Sequence, residues 1–397
     1  GLGQSPKVCV RKMGSRSLWS PNKPYIFRGG WYSYSGSPSN WSQNNMLLIG
    51  EPGAVLKCSN CIGGSVVSIQ NAGNIRFENF VLDGGGNTSS GLTLDHVTRS
   101  EINNVRVRNV IQKGFYFHFN VLNTFTNPKV TDAFEVGLIS MPVFSMQIDG
   151  ASSANTIINP VFEGHQIAQS LTPSNAVGLK FSGIAVQNVI VGGTVEGLND
   201  GIVLGGDAAD SDCSKNTFNG IDLEGNSGND IIVDAGHANQ FNNIIAISKS
   251  MPKNVELRSR SRANTFVGGS YSSILERGQY NSFIGIEVSK YNQSTFDSYL
   301  ISTMLLNVRD NSLTSPKSFS RLPNNILVGQ FGGALQNIYT FTTNTLSPPA
   351  PVSVPGTVKQ SIYVDSNIST SAAAGAQLGT WRMDGEKHRF RQYGQQY

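Results

Sequence analysis

Three copies of one phrase sit in the middle of the chain: Asn155-Thr-Ile-Ile-Asn-Pro-Val-Phe-Glu-Gly164, Asn188-Val-Ile-Val-Gly-Gly-Thr-Val-Glu-Gly197 and Asn216-Thr-Phe-Asn-Gly-Ile-Asp-Leu-Glu-Gly225. In each, an Asn precedes the Glu by eight residues and a Gly follows it. Short β-branched runs broken by Gly/Asn turns, returning after roughly 20–35 residues, are what a solenoid of stacked coils requires. Stacking sets equivalent residues side by side, one strand spacing apart. The phrase therefore predicts a fold and a row of carboxylates together: Glu163, Glu196 and Glu224 on one edge.

A weaker phrase, with apolar residues flanking one outward position, recurs between the copies. It is read in Gly91-Leu-Thr-Leu-Asp95, Ser145-Met-Gln-Ile-Asp149, Gly178-Leu-Lys-Phe-Ser182, Gly201-Ile-Val-Leu-Gly205, Asp230-Ile-Ile-Val-Asp234 and Asn254-Val-Glu-Leu-Arg258. Its first apolar positions, Met146, Leu179, Ile202, Ile231 and Val255, are 33, 23, 29 and 24 residues apart. The Asn phrase continues in Asn239-Gln-Phe, Asn264-Thr-Phe and Asn281-Ser-Phe. Unequal spacing excludes a strict-period array and predicts an all-β, right-handed parallel β-helix, whose turns vary while its strands hold register. Alternate Ile, Val, Leu and Phe fill the narrow interior. Asn side chains stack as a hydrogen-bonded ladder, and Gly supplies positive φ at corners. An antiparallel sandwich is the alternative, but it leaves the Asn-to-Glu phrase without a cause.

Residues 1–45 lack the period and carry exposed-looking aromatics, Trp19, Trp31, Tyr32, Tyr34 and Trp41, which suggests an N-terminal cap or linker over the open end of the solenoid. The β-helix body is read over 46–304. A C-terminal β-rich module is expected over 305–397, for trimerisation or carbohydrate contact. It contains the proline-rich stretch Leu346–Pro355, which no helix or central strand accommodates. It also contains a hairpin at Asp384-Gly385.

Among 397 residues only 14% are charged, 43 are Gly, and the net charge is +4. That composition fits one rigid polar β body and excludes a coiled coil or an acidic disordered chain. The charge is too small to indicate nucleic acid as a partner. No run of 18 apolar residues occurs, so no membrane insertion is expected. The opening Gly1-Leu-Gly-Gln-Ser-Pro lacks the order of a signal peptide. Cys9, Cys58, Cys61 and Cys213 read as thiols of a protein assembled in a reducing cytoplasm, a lone Cys-x-x-Cys being weak evidence for zinc.

The coil around Leu48-Ile-Gly-Glu-Pro-Gly, the turn Phe80-Val-Leu-Asp-Gly84 and the Asn/Glu-Gly repeats together resemble the pectate-lyase-like β-helix superfamily, and within it bacteriophage tailspikes, over about residues 45–300. The resemblance implies a homotrimer that binds, and often depolymerises, bacterial surface polysaccharide (capsule or O-antigen). It implies attachment to a virion tail or baseplate through the N-terminal side and assembly in the host cytoplasm; a secreted enzyme is the alternative. Calcium-binding Asp clusters, the basic motif of pectate lyases and the Asp pair of polygalacturonases are all missing.

Glycoside hydrolysis needs an acid and a second carboxylate at a defined separation. Neighbouring coils are about 4.8 Å apart, so Glu163, Glu196 and Glu224 offer a near and a wide spacing. Crowded like charges raise at least one pKa and keep a general acid protonated. Asp222, two residues before Glu224, shares its strand face, and Asp200 follows Glu196 closely. These five are the candidate catalytic residues. In Gly114-Phe-Tyr-Phe-His-Phe-Asn120, alternation sends Phe115, Phe117 and Phe119 inward and leaves Tyr116 and His118 outside as candidate sugar-binding groups. Arg258, Arg260 and Arg262 alternate on one face. The first two are candidate contacts for an acidic polysaccharide, or partners of the acid-rich 196–234 stretch across a trimer. No cofactor or metal is expected. A polysaccharide lyase with a Tyr, His, Lys or Arg base, and a non-catalytic receptor-binding fibre, are the rival readings.

Overall fold

Three strands per turn, two short and one long, build the chain into a parallel stack in the computed structural model. It describes residues 10–12, 24–34, 40–58, 61, 63–131, 143–164, 176–206, 211–247, 254–293 and short strand segments between 299 and 393. One representative coil runs Thr156–Ile158, Val161–Glu163, Ala176–Phe181. Among the described residues the first strand type forms a separate sheet of twelve strands, and the other two run together in a larger one. Every pairing along the stack is parallel, from Pro24–Phe27 on Leu47–Gly50 to Ser282–Ile284 on Tyr299–Ile301. The winding is that of a β-helix, in the right-handed sense that parallel crossovers take.

The irregular repeat aligns residue for residue. Met146 pairs with Leu179, Leu179 with Ile202, Ile202 with Ile231 and Ile231 with Val255. Coil length varies mainly in the turns, and these inward positions stay in register although the long strands slip between Arg108 and Lys113 and after Val233. The interior is correspondingly regular. Phe218, Phe241, Phe266 and Phe283 are fully buried and stack at centroid distances of 4.9, 4.5 and 5.1 Å.

The Asn ladder runs beside this column. The side-chain amide of Asn155 donates to Asn188 Oδ1 at 2.9 Å, Asn188 to Asn216 at 3.0 Å, Asn216 to Asn239 at 3.1 Å, and Asn239 and Asn264 to their successors at 2.9 Å each. Each oxygen also accepts the backbone N–H of the preceding Asn, as Asn216 does from Asn188 at 2.9 Å. A buried turn thereby satisfies the polar groups that a corner would otherwise strand. At the next corner φ is positive in coil after coil: Asn104, Asn127, Asn159, Gly192, Gly220, Asn243 and Gly268. Only Gly and Asn enter that region cheaply, which is why the turns are written in those two letters. Gly178 answers a different need, since a Cβ there would stand 2.1 Å from Val195 Cγ1.

The ladder begins upstream of Met46. Gly30–Tyr34 pairs in parallel with Ala54–Cys58, and Asn40–Trp41 with the Ser65–Gly73 strand. Tyr32 and Trp41, read as exposed, are buried in the core, because these residues are already coil. Trp19 lies outside the described residues. Cys58 and Cys61 are joined as a disulfide, where the sequence suggested thiols; Cys213 is free and buried. Near the C-terminus Thr380–Asp384 pairs antiparallel with Arg389–Tyr393, the hairpin expected about Asp384. The proline-rich stretch lies outside the described residues apart from Val352–Ser353, which pairs antiparallel with Gln336–Ile338. Among the described residues no helix is long and apolar enough to cross a membrane.

Candidate functional site

The carboxylate row ends the second short strand, at the corner leading into the long one. Glu163 pairs directly with Glu196. The next coil follows in step, with Thr194 opposite Asp222 and the Gly197 amide donating to the Glu224 carbonyl at 3.2 Å. The three Glu-Gly corners thus lie side by side, as the repeat predicts. Glu163 and Glu196 are half-buried and Glu224 is exposed. Lys129, one coil before Glu163, holds its carboxylate at 3.7 Å.

Asp222 differs from its neighbours. Its side chain is partly buried, and Oδ1 is shielded from solvent without a hydrogen-bond partner. Burial first, and the charge of Glu224 second, push its carboxyl above the usual carboxylate range. Both causes act in the direction a general acid needs.

Asp200 is committed elsewhere. It accepts the Asn229 N–H at 2.8 Å and the Asn199 amide at 2.9 Å, tying two successive turns together. A carboxylate so engaged is a turn fastener, and it leaves the candidate catalytic set. The arginines are also engaged, inside the subunit. Arg258 lies 3.7 Å from Asp234 and 3.5 Å from Glu256, Arg260 pairs with Asp234, and Arg277 reaches Glu256 at 3.4 Å. A register shift after Val233 brings this about, setting Ala235 opposite Arg260 and His237 opposite Arg262. The acid partner anticipated across subunits for Arg258 and Arg260, within the 196–234 stretch, is Asp234 of the same chain.

Tyr116 and His118 do face outward from the long sheet, and they converge on a residue the sequence reading passed over. The Tyr116 hydroxyl donates to Asp149 Oδ2 at 3.1 Å, and His118 Nδ1 meets Asp149 Oδ1 at 2.5 Å. The Lys113 ammonium sits 3.5 Å from the centre of the Tyr116 ring. Burial lowers the Lys113 pKa, against the opposing pull of Asp149. Burial, and then the Asp149 charge, drive the Tyr116 phenol upward. A tyrosine so placed holds its proton and donates hydrogen bonds; it is a poor base. Phe119 departs from the alternation. Its φ of 52° turns the chain, and the ring is 37% exposed instead of entering the core. Among the described residues no three His, Cys, Asp or Glu side chains are disposed to hold a metal ion.

No family model matches the sequence, and no curated protein matches it. Solved structures do. A mutant tailspike protein of E. coli bacteriophage HK620, in complex with pentasaccharide, superposes with a TM-score of 0.50 at 10% identity, over 78% of this chain and 65% of that one. The chain therefore spans just under two thirds of that tailspike. Bacteriophage CBA120 tailspike protein 3 gives a TM-score of 0.45 at 9% identity, over 92% of this chain and 62% of that one. An alginate lyase from Paenibacillus gives 0.37 at 12% identity, over 71% and 91% respectively. The parallel ladders and the superposition on the HK620 protein lead to one conclusion about architecture: the chain has an all-β parallel β-helix fold, the fold on which that phage tailspike is built.

Proposed function

We propose that the chain is the β-helix of a tailspike-type protein that binds bacterial surface polysaccharide and hydrolyses its glycosidic bonds at the carboxylate row. The observation that carries this reading is the in-register corner of Glu163, Glu196 and Glu224 with Asp222 beside it, the Asp222 carboxyl raised, Glu163 and Glu196 half-buried and Glu224 exposed. Asp222 donates the proton to the leaving oxygen, and Glu196 or Glu224 supplies the second carboxylate. The elongated uncharged surface suits a long polar polymer. A homotrimer carried on a virion tail belongs to the same proposal, and light scattering in solution tests it: a mass near three times 42.7 kDa supports a trimer, and a strict monomer contradicts it.

Elimination is the second reading: Tyr116 is pushed toward its protonated form, but burial lowers the pKa of the adjacent Lys113, the direction a lysine base needs. The chemistry is tested by incubating the chain with capsular and O-antigen polysaccharides and following polymer mass, reducing ends and ultraviolet absorbance. Falling mass with new reducing ends and no absorbance is the expected result. An absorbing, unsaturated product would make the protein a lyase, and binding without loss of mass would make it a receptor-binding fibre.

A further inference from the structure

A second cluster lies at the opposite end of the long strands, at the corner where each coil turns back toward the Asn ladder. Register stacks Asn71, His96, Phe119, Gly150 and Gly183 there, each following a paired position in Gln70, Asp95, His118, Asp149 and Ser182. All five have positive φ, between 49° and 63°. For Asn and Gly that is ordinary; for Phe it is a strained conformation that the surroundings must hold.

What the strain achieves is an aromatic platform. Phe119 stacks on His96 with centroids 4.7 Å apart and meets the edge of His118 at 4.2 Å. Both imidazoles are fixed by carboxylates, His96 by Asp95 at 2.7 Å and His118 by Asp149. The exposed Phe119 ring is thus neither core nor a loose surface group.

The two flanks of the platform differ. Toward the C-terminal coils the column continues as Gly150 and Gly183. A Cβ on Gly150 would come within 3.1 Å of His118 Nδ1, so glycine leaves room for the imidazole edge that Asp149 holds. Toward the N-terminal coils lies an open concavity of about 410 Å³, whose lining includes Asn45, Asn71, Asn74, Thr98, Arg99 and His96. The His96 ring, backed by Phe119, borders the amide, hydroxyl and guanidinium groups of the concavity, and that combination matches a pyranose, which has one C–H face and an equatorial fringe of hydroxyl or acetamido groups.

We infer that His96 and Phe119, with the adjoining Asn-lined concavity, form an accessory carbohydrate-binding site that takes one pyranose unit of a polysaccharide by ring stacking, away from the carboxylate row. The inference rests on the polysaccharide reading above for its ligand class. The long strand Val143–Asp149 has 7 residues, so at about 3.3 Å per residue the two corners are roughly 20 Å apart across the sheet face. Phe119 also lies three coils before Glu196, about 14 Å along the stack, so a polymer held at the platform spans roughly 25 Å to reach the acids.

The test uses the full chain, fluorescently labelled, on an array of bacterial capsule and O-antigen oligosaccharides. Phe119→Asn removes the ring and accepts the left-handed backbone, so it should fold at least as well as wild type, which its melting temperature checks. Phe119→Trp restores a stacking face. The expected result is a loss of about tenfold in glycan binding for Phe119→Asn and recovery in Phe119→Trp. Wild-type binding by a folded Phe119→Asn would overturn the accessory site while leaving hydrolysis at the acids standing. Loss of binding in Glu196→Gln together with wild-type binding in Phe119→Asn would assign all recognition to the acid row. Absence of any bound glycan for the wild type would overturn both readings together.

Discussion

Asp222 is the general acid of the proposed hydrolysis, and its protonation has a stability signature separate from activity. Its pKa is raised in the folded chain, so the native state holds this proton more tightly than the unfolded state does. The stabilisation from that proton is complete below the unfolded carboxyl value and disappears as pH rises through the folded one. Where the pH exceeds the folded value, the wild type carries a partly buried charge that Asp222→Asn removes. The variant should melt at the same or a higher temperature than wild type near pH 7, with the gap closing in acid, while losing hydrolysis. A variant less stable at pH 7 than in acid, relative to wild type, would contradict the upward shift. Sequence placed Asp222 on the right face through its two-residue offset from Glu224. It could not show that Asp200 is spent on the Asn199 and Asn229 turns, because that bond depends on how the following coil closes. Asp149 escaped notice for a similar reason: 31 residues separate it from His118, and only the register of two coils brings them together.

At the scale of the element, the ladder does what no single strand can. Asn216 is fully buried. Its amide donates to the Ala185 carbonyl at 2.9 Å and to Asn239, and its oxygen accepts from both the backbone and the side chain of Asn188. Truncation strands partners on two coils, each costing roughly 1–3 kcal/mol when left unmade. Asn216→Ala should therefore destabilise the chain by about 3 kcal/mol or more, read from denaturant unfolding. A loss under about 1 kcal/mol would mean that water or relaxation replaces the ladder. These elements were legible in the sequence because they combine a fixed Asn, a large apolar residue (Ile or Phe) two positions on, and a glycine-compatible corner. The N-terminal coils were harder to read. Tyr32 and Trp41 looked like cover for an open end because no repeat phrase accompanies them, yet both pack inside. The Phe119 corner was misread for a physical reason: strand alternation cannot foresee a bulky residue held at positive φ.

Over the whole molecule, unequal coils are reconciled by letting turns absorb most length differences, with bulges in the long strands taking up the rest. That is why Met146, Leu179, Ile202, Ile231 and Val255, irregular in sequence, are a straight column in space. The same rule places chemistry. A residue kept at a constant offset from a strand becomes a row, and the Glu-Gly corners are such a row. The arginine face fails to stay open because the register shift after Val233 turns Arg258 and Arg260 onto Asp234. Rows are legible in sequence; the pairings that cross between rows are not, since they depend on bulges and connection lengths. The most direct test of the account is the rate of reducing-end release from a polysaccharide the wild type cleaves, measured for a folded Glu196→Gln/Glu224→Gln double variant. The row as catalytic centre predicts a fall of at least about a hundredfold, and an unchanged rate would contradict it.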